Sequence, residues 1–253
     1  MLKKLYDKSE LWFALAWIVA YVVLASAGDN LSAQIGVPKL VTLPILMALC
    51  AVLFVFVRTH GLILKYGLCK PRLSSARMLF YAPLILLLTA NLWYGAALKG
   101  APLETLLYVL SMFCVGFLEE MIFRGFLFQA MAKDGVKSAI VVSSITFGMG
   151  HIVNLFNGSG AELLPNLLQV MYAAAVGFAF VIIYCRTKSL MPCIITHSVF
   201  NGLSAFSNET AMTPQRQILS GVLLTVIAGG YALYLAFAVK EENEGPARSR
   251  TRP

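Results

Sequence analysis

The sequence predicts an all-α membrane protein, a polytopic bundle of about eight transmembrane helices. Hydrophobic residues make up 59% of the 253 residues and charged residues only 13%, and the mean hydropathy is +0.77. Soluble domains carry about twice that share of charged residues. The apolar residues are gathered into segments of about 20 residues, the length that a helix needs to cross the hydrocarbon core. Soluble folds are therefore set aside.

Eight apolar segments are long enough to be spans, and each must be helical because lipid offers the backbone no hydrogen-bond partners. In chain order they are 11–28, 40–57, 78–98, 105–131, 138–156, 163–185, 189–206 and 217–239. We expect residues 1–240 to form a single transmembrane domain with its motif-bearing core at 105–206. The tail 241–253 has little apolar surface to bury, and we expect it to be a disordered cytoplasmic extension.

The first segment follows a basic N-terminus and superficially resembles a signal peptide, but its apolar part is too long for one, so we treat it as a retained span. Prolines and glycines inside later spans are ordinary in membrane helices. The segment 58–77 is the longest loop and is basic. Two explanations stay open for it: contact with anionic headgroups, or a role in setting topology only.

The basic residues predict the orientation of the bundle. With both termini in the cytoplasm, sixteen Lys and Arg residues lie inside and only Lys39, Lys99 and Arg216 lie outside. This asymmetry is typical of multi-pass membrane proteins, and it requires an even number of spans. The net charge of +8 is dispersed between spans and indicates no nucleic-acid partner. The short loops favour a prokaryotic plasma membrane.

The fourth apolar segment contains three ionisable residues, Glu119, Glu120 and Arg124. Each charge near the bilayer centre costs about 2.5–3.5 kcal/mol on insertion scales, so these side chains must face the protein interior. Glu120 and Arg124 are four residues apart on a helix and can neutralise each other, which favours a supporting role. Glu119 points elsewhere and has no local partner, which makes it the candidate functional carboxylate.

Two histidines and an asparagine lie in later spans, His151 in the fifth and His197 and Asn201 in the seventh. His197 and Asn201 are four residues apart, so they share one helix face. With a rise of about 1.5 Å per residue, Glu119, His151 and Asn201 lie roughly 18–20 Å from the cytoplasmic ends of their spans, and His197 roughly 12 Å. We expect one buried polar site that opens toward the cytoplasmic half of the membrane.

These residue types suit the hydrolysis of a peptide bond, which needs a base, a group that holds water and donors for the oxyanion. Glu119 is the candidate base, His151 the candidate partner for the water or the leaving amine, and His197 and Asn201 the candidate oxyanion donors. Zinc held by Glu119, His151 and His197 is an alternative. We favour the route without a cofactor because HExxH is absent and no two of these ligands are local neighbours.

The blocks Glu119-Glu120-x-x-x-Arg124, Phe147-x-x-x-His151 and His197-x-x-x-Asn201, in this order within membrane spans, resemble the CAAX protease and bacteriocin-processing (CPBP, or Abi) family. The resemblance covers about residues 105–206. It implies an intramembrane glutamate endopeptidase similar to type II CAAX prenyl endopeptidases. By position it implies the same four catalytic roles, with Glu120 and Arg124 as support. The family has been described as metalloproteases, and that label leaves metal dependence open.

The resemblance leaves the substrate open between a CAAX-type tail and a peptide in maturation or bacteriocin immunity. We expect a membrane-embedded or membrane-associated peptide or protein substrate and contact with the lipid bilayer. Two other functions stay open from the residues alone. Buried Glu, His and Arg also occur in transporters and proton relays, and a non-catalytic immunity or scaffold protein would bind a partner with the same groups.

Overall fold

A computed structural model describes residues 2–98, 100–156 and 162–239, and within these residues the predicted all-α fold is confirmed. The helices are α1 (Leu2–Lys8), α2 (Glu10–Ile35), α3 (Thr42–Thr59), α4 (Ala82–Leu88), α5 (Pro102–Glu120), α6 (Gln129–Ala132), α7 (Val136–Gly150), α8 (Leu163–Thr187), α9 (Met191–Leu203) and α10 (Pro214–Phe237). The predicted tail 241–253 lies outside the described residues, and so does Lys99.

Seven helical segments of the described chain are long and apolar enough to cross a membrane. The third begins at Ser75, earlier than predicted, and joins α4 to 3₁₀ turns at both ends. The predicted seventh span, 189–206, is the exception. Its helix α9 has only 13 residues, about 20 Å, which is shorter than the hydrocarbon core. The α9 helix buries Cys193, Thr196, His197 and Ser198 instead of presenting a full-length lipid face.

The fourth span is one continuous helical segment, Pro102–Ala132, in which α5 passes into the π-helical stretch Met121–Phe128 and then into α6. Every residue of the π-helical stretch is buried. The stretch begins directly after Glu120. π-Helical geometry is uncommon and frequently occurs at functional sites. Here it marks the point on the central helix where the ionisable residues are concentrated.

Small residues bring the helices around α5 close together. A side chain on Gly116 of α5 would place its Cβ 2.6 Å from the backbone nitrogen of Ser198 on α9. In the same way, Gly148 of α7 faces Ala174 of α8 with no room for a Cβ. Small residues let membrane helices approach closely. These contacts pack α9 closely against α5, and α8 closely against α7.

An aromatic cluster fills the bundle at the end that carries the N-terminus. We call Phe13, Trp17, Phe56, Tyr66 and Phe126 the aromatic plug; they come from α2, α3, the loop after α3 and the π-helical stretch. Each is at most 5% exposed. The ring of Phe126 meets those of Phe13 and Tyr66 edge to face, with centroids 5.0 and 4.9 Å apart. The plug leaves this end of the bundle densely packed.

Candidate active site

Glu120, Arg124 and His197 form a buried network at the centre of the bundle. Arg124 Nη1 donates to Glu120 Oε1 at 2.9 Å, and both side chains are fully buried. The predicted i,i+4 pair is therefore formed. The same carboxylate oxygen lies 2.8 Å from His197 Nδ1, so α9 is joined to α5 through this carboxylate. Because Glu120 accepts both contacts, its role extends beyond neutralising Arg124 and includes fixing the imidazole of His197.

The guanidinium of Arg124 is also covered by aromatic rings. Its Cζ lies 3.9 Å from the ring centroid of Phe147 on α7 and 5.6 Å from that of Phe180 on α8. Cation–π attraction strengthens when the cation is removed from water. The ring of Phe147 in turn contacts His197 edge to face, with centroids 5.6 Å apart. Phe147, the first residue of the second motif block, therefore packs between Arg124 and His197.

Glu119 has two partners that come from distant parts of the chain. The hydroxyl of Tyr21 on α2 donates to Glu119 Oε1 at 2.7 Å. The other carboxylate oxygen, Oε2, faces His197 Nε2 at 3.6 Å, too far for a direct hydrogen bond. The Glu119 side chain is 12% exposed, whereas that of Glu120 is fully buried. Of the two adjacent carboxylates, Glu119 is the one that reaches open space.

Glu119, His151 and Asn201 line a common cavity of about 420 Å³ inside the bundle. A smaller cavity of about 50 Å³ is lined by His151, His197 and Asn201 together with apolar side chains of α8 and α10. His151 and Asn201 belong to both linings, so the two cavities meet at these residues. The structure thus brings all four predicted catalytic side chains to one place, from three helical segments.

His151 lies where α7 ends, as the first residue of a 3₁₀ turn, His151–Leu155. The sequence predicted a continuous span to residue 156, so the histidine is at a helix end and not within an α-helix. Its backbone carbonyl accepts a hydrogen bond of 2.8 Å from the side-chain amide of Asn166 on α8. Its ring contacts that of Phe147 edge to face, with centroids 5.6 Å apart. These contacts fix the turn and hold the imidazole at the cavity.

The cavity opens at the end of the bundle opposite the N-terminus. Its outer lining includes Asp29, Lys39, Tyr108 and Ser204, which lie close to the loops at that end. The prediction that the site opens toward the half holding the N-terminus is therefore wrong. Counting residues along each span predicted how deep each side chain lies in the membrane. It did not predict toward which end of the bundle the cavity opens, because that depends on which side chains fill the space between the helices.

Motif reasoning missed Tyr21, because the resemblance covered only residues 105–206. The sequence nevertheless contains a feature that could have indicated a role for Tyr21. A tyrosine hydroxyl in the middle of the first apolar segment needs a hydrogen-bond partner inside the membrane, and buried Tyr hydroxyls usually find one. The sequence contains no information that pairs this hydroxyl with Glu119, 98 residues away.

A zinc ion held by Glu119, His151 and His197 would require these three side chains to converge on one point. Across residues 2–98, 100–156 and 162–239, no three His, Cys, Asp or Glu side chains are clustered in a way that would hold a metal ion. The residues present do not fit a three-ligand zinc site, and we assign no step to a metal. That the enzyme works without a cofactor stays a prediction.

Comparison with known proteins adds one match. Residues 101–203 match the family model described as type II CAAX prenyl endopeptidase Rce1-like. The matched segment contains all six motif residues, Glu119, Glu120, Arg124, His151, His197 and Asn201. No curated protein matches the chain. Residues 101–203 are therefore similar to an Rce1-like domain of the type II CAAX prenyl endopeptidases, which are proteases, and they lie within a multi-pass membrane protein.

Proposed function

We propose that this protein is an intramembrane endopeptidase in which Glu119 activates a water molecule for attack on a peptide bond of a membrane-embedded or membrane-associated substrate. One observation carries the proposal: Glu119 Oε2 faces His197 Nε2 at 3.6 Å, beside a cavity that also reaches His151 and Asn201. This arrangement supports the proposal because the proposed base and the proposed donors lie where a polar cavity enters an apolar bundle.

The contacts of His197 constrain where protons reside. Glu120 Oε1 already accepts from Arg124, so His197 Nδ1 is the donor in its contact with this carboxylate. In a neutral imidazole the Nε2 lone pair would then point at Glu119 Oε2, and two lone pairs repel. A proton on His197 Nε2 or on Glu119 would remove this repulsion. With that one proton, the charges of Glu119, Glu120, Arg124 and His197 sum to zero.

The proposed reaction begins with Glu119 ionised and His197 protonated. Glu119 takes a proton from water, and the resulting hydroxide attacks the carbonyl carbon of the scissile bond. The carbonyl oxygen becomes an oxyanion, which accepts hydrogen bonds from His197 Nε2 and the side-chain amide of Asn201. When the carbon–nitrogen bond breaks, the proton held by Glu119 passes to the leaving amine. All protons are accounted for, and Glu119 returns to its ionised form.

His151 is assigned to holding the attacking water, because it lines both the cavity with Glu119 and the smaller cavity with His197. A water molecule bound there would receive a second hydrogen bond besides the one to the base. Imidazole suits this task because a neutral ring has one donor and one acceptor nitrogen. We assign the same ring a second role, in which it assists proton delivery to the leaving amine.

The closed end of the bundle favours a protease over a transporter. The aromatic plug fills the interior on the side of Glu119 that faces the N-terminus, so among the described residues the cavity lining extends toward the opposite end of the bundle. A transport path needs access from both sides, at least alternately. A proteolytic site needs only one opening.

The test compares the purified full-length protein with Glu119→Gln in detergent, using a peptide library and mass spectrometry to find new peptide termini. Gln keeps the size of the side chain and removes the base, so we expect cleavage to be lost. Glu104→Gln, near the start of the same helix, is the matched control and should cleave normally, since Gln also caps a helix. Equal cleavage by wild type and Glu119→Gln would refute the assignment.

A further inference from the structure

The position of the cavity identifies the side of the membrane from which the substrate comes. Resting on the proposed function, we infer that this protease cleaves peptide segments presented from the extracytoplasmic side, in secreted peptides or in the outward-facing part of membrane-anchored ones. A tail located in the cytoplasm would not reach Glu119. Four observations support this inference: the depth of the cavity, its closed end, the charge of the two ends of the bundle and the chemistry of its rim.

Helix α2 gives the depth of the cavity. Tyr21, which holds Glu119, lies near the middle of the helix, and Asp29 lies at the rim eight residues later. Phe13 of the aromatic plug lies eight residues earlier. Eight residues of helix rise about 12 Å. Glu119 is therefore about halfway through the bundle, with open space on the Asp29 side and packed aromatic rings on the Phe13 side.

The closed end is held by polar contacts as well as by the plug. Lys65, in the loop after α3, donates to Glu10 Oε1 at 2.7 Å and to the hydroxyl of Tyr6 at 2.6 Å. Lys133 reaches the same oxygen of Glu10 at 2.8 Å. The start of α2 is thus tied to the loop after α3 and to the residue following α6. A substrate approaching from this end would have to break these contacts and then displace the plug.

The charge of the two ends indicates which one is cytoplasmic. At the plugged end of the described chain are twelve basic residues: Lys3, Lys4, Lys8, Arg58, Lys65, Lys70, Arg72, Arg77, Lys133, Lys137, Arg186 and Lys188. At the open end, the described residues include only Lys39 and Arg216. Lys and Arg are retained on the cytoplasmic side of multi-pass proteins. The plugged end is therefore cytoplasmic, and the cavity opens outward.

The chemistry of the rim suits a peptide main chain. Its one cation, among the described lining residues, is Lys39, and Asp29 pairs with it at 2.8 Å. Neutral groups make up the rest of the polar rim: the hydroxyls of Tyr108 and Ser204 lie 2.9 Å apart. A rim without surplus charge offers hydrogen bonds to backbone amides and no counter-charge for an ionic tail. The substrate is accordingly an extended segment recognised through its backbone.

Sidedness is measured with sealed membrane vesicles and a membrane-impermeant fluorogenic peptide chosen from the library hits. Right-side-out vesicles should cleave the peptide at least 10-fold faster than inverted vesicles of equal protein content, and detergent should remove the difference. Vesicles containing Glu119→Gln control for other proteases. Faster cleavage by sealed inverted vesicles would overturn the inference, because it would place the opening in the cytoplasm.

Cysteine labelling decides the side independently of catalysis. In a variant whose five native cysteines are replaced by Ala, Ser26→Cys places a thiol in the cavity and Lys137→Cys places one at the basic end. An impermeant maleimide should label Ser26→Cys in right-side-out vesicles and Lys137→Cys only in inverted ones. The reverse pattern overturns the inference. If wild type cleaves nothing in detergent, the proposed function fails, and labelling still reports which way the cavity opens.

Discussion

Tyr21 donates a 2.7 Å hydrogen bond to Glu119 Oε1 and thereby turns the other carboxylate oxygen toward His197. The contact joins the first membrane span to the fourth. Tyr21 lies outside the segment that matches the protease family, residues 101–203, whereas Glu119 lies inside it. The orientation of the candidate base is therefore set by a residue that the family motifs do not include.

We expect Tyr21→Phe to lower kcat/KM without abolishing cleavage. The substitution keeps the ring and removes one hydrogen bond to a charged group, worth about 1.5–3 kcal/mol, which corresponds to a roughly 10-fold to 100-fold loss. The loss should fall mainly on kcat, because Glu119 is misoriented while the rest of the cavity is intact. The control is Tyr231→Phe, whose hydroxyl bonds to the carbonyl of Met78 away from the site. Equal kcat for Tyr21→Phe and wild type would contradict this role.

Variants of the Glu120–Arg124 pair can separate the contribution of Glu120 to stability from its contribution to activity. Glu120→Leu leaves the guanidinium of Arg124 buried without its partner, a loss of about 3–5 kcal/mol. The double variant Glu120→Leu with Arg124→Leu removes both charges, and we expect its Tm in detergent to return most of the way to that of wild type. Its kcat/KM should stay at least ~100-fold low, because His197 has lost the acceptor for Nδ1. A double variant with normal activity would show that Glu120 serves stability alone.

The close contact between α5 and α9 predicts that position 116 does not tolerate a side chain larger than that of glycine. In Gly116→Ala the new Cβ would lie 2.6 Å from the nitrogen and 2.7 Å from the Cα of Ser198, so the two helices must separate. We expect a lower Tm and a loss of cleavage, because His197 precedes Ser198 and moves with it. Gly230→Ala on α10 is the matched control, as its Cβ meets nothing within 4 Å. Normal Tm and cleavage in Gly116→Ala would contradict the packing described here.

Metal dependence is tested by chelation. We expect the purified protease to keep its activity after treatment with a strong zinc chelator, with elemental analysis showing less than one metal ion per chain. The reason is that the described residues form no three-ligand cluster around Glu119 and His197. Loss of activity on chelation, with recovery on adding zinc alone, would contradict this expectation and revive the metalloprotease assignment.

Much of the fold followed from hydropathy, because the requirement for internal backbone hydrogen bonds makes each long apolar segment a helix. The short helix α9 was not predicted as such. Residues 189–206 are apolar enough on average to predict a span, and hydropathy does not distinguish residues that face lipid from residues packed inside protein. The sequence predicted which residues form the candidate site, but it did not predict how their side chains are arranged relative to one another. The motifs selected Glu119 and His197, whereas the 3.6 Å between their facing atoms depends on how α5 and α9 pack.

The sequence by itself determined that the chain is helical, that it lies in a membrane and which ionisable side chains are too costly there to be incidental. These properties depend on local composition and on the transfer energy of single residues. Only the tertiary structure decided that Tyr21 orients Glu119, that Glu120 holds His197 and that the cavity opens away from the basic end. Those relationships join residues up to 98 positions apart, and they depend on which side chains fill the space between helices.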